Sequence, residues 1–101
     1  MDEIRIIQGD TYEAKLRWTG IDDVSIIDKV VFSCKDLGIC KEIRYHEEEG
    51  AYLLKFTHEE TIAMSPCDTD FDITITYTDK TVQTPIYRKR IIIQRKVNLC
   101  G

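Results

Sequence analysis

Asp70-Phe71-Asp72-Ile73-Thr74-Ile75-Thr76-Tyr77-Thr78 alternates without a break: Phe71, Ile73, Ile75 and Tyr77 share one face, and acids and threonines share the other. Successive side chains of a strand point to opposite faces, so this run predicts a strand with one buried and one wet side. Parallel strands covered on both faces read instead as continuous apolar runs, so the alternation predicts an antiparallel sheet.

The same period extends outward in both directions. Residues 11–18 place Tyr12, Ala14, Leu16 and Trp18 on one face. Weaker alternation predicts strands over 3–8, 29–35, 41–46 and 51–57, the last with Tyr52, Leu54 and Phe56 inward. Toward the C-terminus, residues 87–97 put Tyr87, Ile91, Ile93 and Val97 in phase. Residues 82–86 form a separate short strand, which Pro85 confines to an edge or a bend. Turn residues fall between these runs at Gly9-Asp10, at 20–23, at Glu49-Gly50 and at the hairpin tip Asp79-Lys80. About seven short strands at intervals of roughly ten residues read as an all-β, antiparallel β-sandwich. One segment differs: Thr57-His58-Glu59-Glu60 has the form of a capping box and predicts one short helical turn, stopped at Ser65-Pro66.

At 101 residues and 43% hydrophobic, the chain is expected to be a single domain over 1–101 with enough core to fold without staples. The predicted core gathers Tyr12, Leu16, Trp18, Val30, Phe32, Tyr52, Leu54, Phe56, Phe71, Ile73, Ile75, Tyr77, Ile91 and Ile93. No run approaches the ~20 apolar residues of a membrane-spanning helix. The opening Met1-Asp2-Glu3 lacks the basic and then apolar form of an export signal. Fourteen Lys and Arg against eighteen Asp and Glu give a net charge of −4, which disfavours nucleic acid as a partner.

Charge is nevertheless grouped. Arg88, Lys89, Arg90, Arg95 and Lys96 cluster near the C-terminus, while Glu47, Glu48 and Glu49 form an acidic run. Opposed patches steer association, so these residues, with Tyr45 and Tyr87, are the candidate interface.

Of four cysteines, Cys34 and Cys40 flank the turn 35–39. Pairing Val30, Phe32 and Cys34 with Tyr45, Ile43 and Lys41 places Cys34 in the core and Cys40 outside; Cys67 and Cys100 are read as incidental. Catalytic and metal motifs fail on particular residues. His58-Glu59 begins a zinc-protease motif, but Ile62 stands where the second His is needed. The acids at 68, 70 and 72 hold Phe71 inside their run and lack a bending Gly, so they read as a wet strand face. No catalytic residue, metal ligand or cofactor is expected.

Read in order, Ile6-Ile7-Gln8-Gly9-Asp10-Thr11 resembles the I-x-x-G-D-T start of small immunoglobulin-like domains in tailed-phage baseplates. The run from Gly50 to Thr57, followed by Glu59-Glu60-Thr61, resembles their G-x-Y-x-x-x-x-T strand and turn. Asp72-Ile73-Thr74-Ile75 with Asp79-Lys80-Thr81 resembles their late hairpin, whose tip usually holds Asp-Gly. The chain is thus similar to the N-terminal domain of phage baseplate upper proteins and related prophage tail proteins. It departs at Lys80, in its more basic C-terminal strand, and in stopping at Cys100-Gly101. The resemblance implies a non-enzymatic virion structural protein, a tail or baseplate component. It would be made in the host cytoplasm, form a homo-oligomer with other phage structural proteins, and involve no membrane. An immunoglobulin-like module that recognises a host surface protein or glycan is the alternative.

Overall fold

The structure, a computed structural model, describes residues 3–97. Seven strands follow in order: β1 (Glu3–Ile7), β2 (Tyr12–Leu16), β3 (Ile27–Cys34), β4 (Ile39–His46), β5 (Ala51–Phe56), β6 (Cys67–Tyr77) and β7 (Val82–Gln94). One helix, α1 (His58–Ile62), and a 3-10 turn at Val24–Ile26 complete the set. Among the described residues no helix is long and apolar enough to cross a membrane.

The strands form one mixed sheet in the order β1-β7-β6-β3-β4-β5-β2. The all-β expectation holds, but one pairing is not antiparallel: β1 runs parallel to β7, from Glu3 opposite Arg90 to Ile7 opposite Gln94. These two strands are far apart in the chain and share no hairpin, so no tight turn forces them to oppose. The sheet cannot be flat. Its two edge strands are consecutive, joined by residues 8–11. Six strand spacings would separate flat edges by about 29 Å, whereas five peptide steps span at most about 18 Å. The sheet is therefore rolled toward a barrel. β4 makes part of the bend: Ile39–Ile43 pairs with β3, and residues 44–46 pair with β5.

The core fills the inside of the roll with Ile4, Ile6, Val30, Phe32, Leu54, Phe56, Phe71, Ile73, Ile75, Ile91 and Ile93, all nearly or fully buried. Three predicted core residues, Tyr12, Trp18 and Tyr77, are only partly buried and pack against its rim. Cys34 is buried and Cys40 exposed, as the alternation implies. The register, however, is one pleat away from the expected one: Val30 opposes Ile43, Phe32 opposes Lys41 and Cys34 opposes Ile39. The turn is tighter than predicted. Gly38, at φ 66°, donates its N–H to the Lys35 carbonyl at 3.0 Å, so β4 begins at Ile39.

The C-terminal region is corrected more strongly. The two predicted pieces are one thirteen-residue strand, β7, with its register against β6 shifted twice. Phe71 faces Lys89 but Ile73 faces Ile86, so an extra residue bulges out between them. Arg88 occupies the bulge at φ 50°, and its N–H donates to Asp72 Oδ1 at 2.7 Å. A bulge advances the side-chain phase by one residue. Ile86 thus points inward before it, and Ile91 and Ile93 point inward after it. Tyr87 and Val97, predicted in phase with Ile91, are instead 64% and 85% exposed.

The hairpin tip 78–81 shows why Asp-Gly is the usual choice. Lys80 donates to the Tyr77 carbonyl at 2.9 Å and sits at φ 72°. That left-handed conformation costs a side-chain-bearing residue about 1–2 kcal/mol. Part of that is offset because Gly gains more freedom in the unfolded chain. Lys80→Gly is expected to raise stability by about 0.5–1 kcal/mol, read as a higher urea midpoint with an unchanged slope.

The predicted capping box is present. Thr57 Oγ1 accepts from the Glu60 N–H at 3.2 Å, and Glu60 Oε1 accepts from the Thr57 N–H at 3.0 Å. α1 then serves as a dock for the turn that joins the two sheet edges. Thr61 Oγ1 donates to the Asp10 carbonyl at 2.8 Å, His58 Nδ1 lies 2.6 Å from the Gly9 carbonyl, and Gln8 Nε2 donates to the Met64 carbonyl at 2.7 Å. Gly9 is favoured here by its φ of 86°, and an added Cβ would also press on Ile62 Cδ1 at 3.2 Å.

Candidate functional site

The sequence nominates one contact surface made of basic, acidic and aromatic residues. The structure distributes them. Tyr87, Arg88, Lys89 and Arg90 lie on β7, Arg95 and Lys96 follow its end, Tyr45 lies on β4, and Glu47, Glu48 and Glu49 form the β4–β5 turn.

Much of the charge is answered within the chain. The acids of β6 face the bases of β7 across the antiparallel pair, with Asp70 opposite Arg90. Arg90 holds Asp68 through both nitrogens of its fork, its Nε at 2.7 Å from Asp68 Oδ1, and its Nη1 lies 3.8 Å from Glu3 Oε1. Arg88 Nε lies 3.3 Å from Asp70 Oδ2. The Arg90 hydrogen bonds hold the Asp68 carboxyl below its usual range, and the same contact raises the Arg90 guanidinium. Lys96 approaches Asp10 at 3.6 Å, and Lys15 reaches Glu49 at 2.6 Å. The Lys15 hydrogen bond lowers the Glu49 carboxyl. All of these pairs are exposed, where an ion pair contributes little to stability and is screened by salt. Their main effect is to consume charge that an outside partner would otherwise meet.

Apolar exposure on the same strand is left over. Tyr87 is 64% and Val82 59% exposed. Tyr45 is also exposed, with its ring 5.2 Å from Tyr52, which in turn lies 6.1 Å from Trp18. This aromatic row borders two hollows of about 270 Å³ each, shared with Val24.

A wider cleft, which shares Trp18 with one of these hollows, was not read from the sequence. At about 860 Å³, it opens between residues 17–21 and the β6–β7 hairpin, walled by Trp18, Ile26, Ile75, Tyr77, Gln83 and Ile86 among others. Trp18 Nε1 is buried without an acceptor. Pro85, which also lines the cleft, is the one sequence signal that pointed here, since proline marks a strand position free of ladder pairing.

The nucleophile and metal candidates are placed as follows. Burial pushes the Cys34 and Cys67 thiols up, away from the thiolate form that a nucleophile needs. Cys34 donates its S–H toward the Asp70 carbonyl at 3.3 Å. Cys100 lies outside the described residues. Of the three alternating acids on β6, Asp68 and Asp70 hold arginines and Asp72 caps the Arg88 bulge. No group of three or more His, Cys, Asp or Glu among the described residues is placed to hold a metal ion. Comparison with protein-family models, curated proteins and solved structures found no match for this chain.

Proposed function

We propose that this chain is a non-enzymatic structural protein of a tailed-phage or prophage virion, a tail or baseplate component that assembles through repeated lateral contacts. We further propose that the rolled sheet is an immunoglobulin-like sandwich. One layer would be β1, β7, β6, β3 and the start of β4; the other would be the end of β4 with β5 and β2. The transfer of β4 from β3 to β5 and the short link between the sheet edges support that layering.

The observation that carries the functional reading is a coincidence of motif and joint. The three stretches that resemble the baseplate family fall on the Gly9 turn docked against α1, on the Thr57 cap, and on the hairpin tip at 78–81. Tyr87 and Val82 on β7 are the favoured lateral contacts, since they are large, apolar and exposed. Glu47, Glu48 and Arg95, which hold no ion pair among the described residues, supply the remaining charge. Native mass spectrometry across a salt series tests this. The expected result is an oligomer that loses copies as ionic strength rises past ~0.15 M. A strict monomer at low salt and high concentration, with no assembly beside other tail proteins, ends the reading.

The aromatic row of Tyr45, Tyr52 and Trp18 favours the second reading, a module that binds a host protein or glycan. A glycan array on the native protein and on Tyr45→Ala separates the two: binding that Tyr45→Ala abolishes would support the module.

A further inference from the structure

β3 and β4 separate at one end. Their pairing stops at Val30 opposite Ile43; beyond it residues 44–46 pair with β5, and residues 27–29 have no β4 partner. Two hollows of about 270 Å³ each lie at this split, and they share Val24, Tyr45 and Tyr52 as a common wall. Tyr52 is 6% exposed and Tyr45 37%, with ring centres 5.2 Å apart. The hollows differ in charge. The first is walled by Ile27 and Ile43 and carries Asp28, Glu42 and Arg44. Arg44 lies 3.6 Å from Glu42, whereas the exposed Asp28 carboxylate holds no ion pair or hydrogen bond among the described residues. One negative charge there is thus unanswered. The second hollow is walled by Leu16, Trp18 and Ile21, and its two charges, Arg17 and Asp22, cancel. It also holds an unanswered group of another kind, since Trp18 Nε1 is buried without an acceptor.

We propose that the two hollows take a proline-rich segment of another protein that carries one basic residue. A proline seats against Trp18, and an arginine or lysine three positions away reaches Asp28. The inference rests on the binding-module reading given second above, and names its ligand. A polyproline II helix repeats every three residues, about 9 Å. The row from Tyr45 through Tyr52 to Trp18, with ring spacings of 5.2 and 6.1 Å, matches one such turn in length. Proline-rich segments dock on aromatic-lined grooves at low entropic cost because their conformation is already formed. Their carbonyls have no internal partners, so they supply the acceptor that the Trp18 indole lacks. A long basic side chain lays its apolar stem along Ile27 and Ile43 and keeps its charged end at Asp28. Passing Tyr45, the same cation gains from the ring face. A neutral glycan stacks on the exposed ring but brings no cation to Asp28.

An NMR titration of the full chain tests this, with a capped nine-residue proline-rich peptide carrying one arginine as the probe. Saturating peptide is expected to shift the Trp18 indole N–H resonance and the amides of Val24 and Tyr45. Tyr45→Ala is expected to weaken binding by about tenfold. Asp28→Asn is expected to weaken the arginine peptide by about twofold to fivefold and to leave an all-proline peptide unchanged, a split that a purely structural role for Asp28 does not produce. Absence of any shift at millimolar peptide overturns the proposal. So does equal affinity for a peptide with glutamate in place of arginine, or a set of shifts confined to the cleft beside the β6–β7 hairpin. A glycan that binds at Tyr45 where no peptide does overturns this inference and keeps the module reading; failure of both ligands removes the two together.

Discussion

Phe32→Ala is expected to lower the unfolding free energy by about 3–5 kcal/mol. Phe32 is fully buried in the second half of β3. Its ring lies 5.3 Å from Phe56 at 75° and 5.3 Å from Phe71 at 26°, so it ties the β5 side of the roll to the β6 side. Truncation removes the transfer energy of the ring and leaves a cavity that the surrounding strands cannot collapse into, since each is held by ladders on both sides. A chain of this length has about 5–15 kcal/mol of stability in total. The variant will therefore unfold at a much lower urea concentration, or will not fold at all. Tyr87→Ala serves as the comparison: Tyr87 is 64% exposed, and its removal is expected to change stability by no more than about 0.5 kcal/mol. Equal urea midpoints for Phe32→Ala and wild type would show that the three-ring cluster is not central to the core.

Thr61→Val is the second large effect, expected at about 1–3 kcal/mol from a change that preserves shape. Among the described residues Thr61 is the buried polar one, at 0% exposure, and its hydroxyl donates to the Asp10 carbonyl at 2.8 Å. Valine fills the same space but removes the donor from this part-buried hydrogen bond. The loss falls on the joint between the two sheet edges, so it has a local signature as well. Amides of β1 and of residues 8–11 are expected to exchange faster than those of β6, where global unfolding sets the rate. Uniform acceleration across the molecule would mean that the dock on α1 does not act as a separate unit.

The strongest elements were legible because their signal is local. β6 keeps unbroken alternation, and the Thr57 capping box needs only residues 57–60 to satisfy its own backbone groups. Core membership followed from the same parity, including Cys34 inward and Cys40 outward. β7 was read less well. The bulge at Arg88 inverts the phase between Ile86 and Ile91, and nothing in Tyr87-Arg88-Lys89-Arg90 announces an extra residue. The candidate contact residues were chosen by charge and type. Sequence could not show that Asp68 and Asp70 on β6 would pair diagonally with Arg90 and Arg88 on β7 and neutralise them.

By itself, then, the sequence determined the all-β class, the approximate place of each strand, the helical cap, and which face of each regular strand is buried. These depend on side-chain period and backbone capping, which act within a few residues. Tertiary structure alone decided the parallel β1–β7 pair, the roll of the sheet, the transfer of β4 between neighbours, and the cleft beside the β6–β7 hairpin. Each of these depends on which distant strands meet, and in what register. That is set by closing one core around Phe32, Phe56 and Phe71, and no single segment carries it.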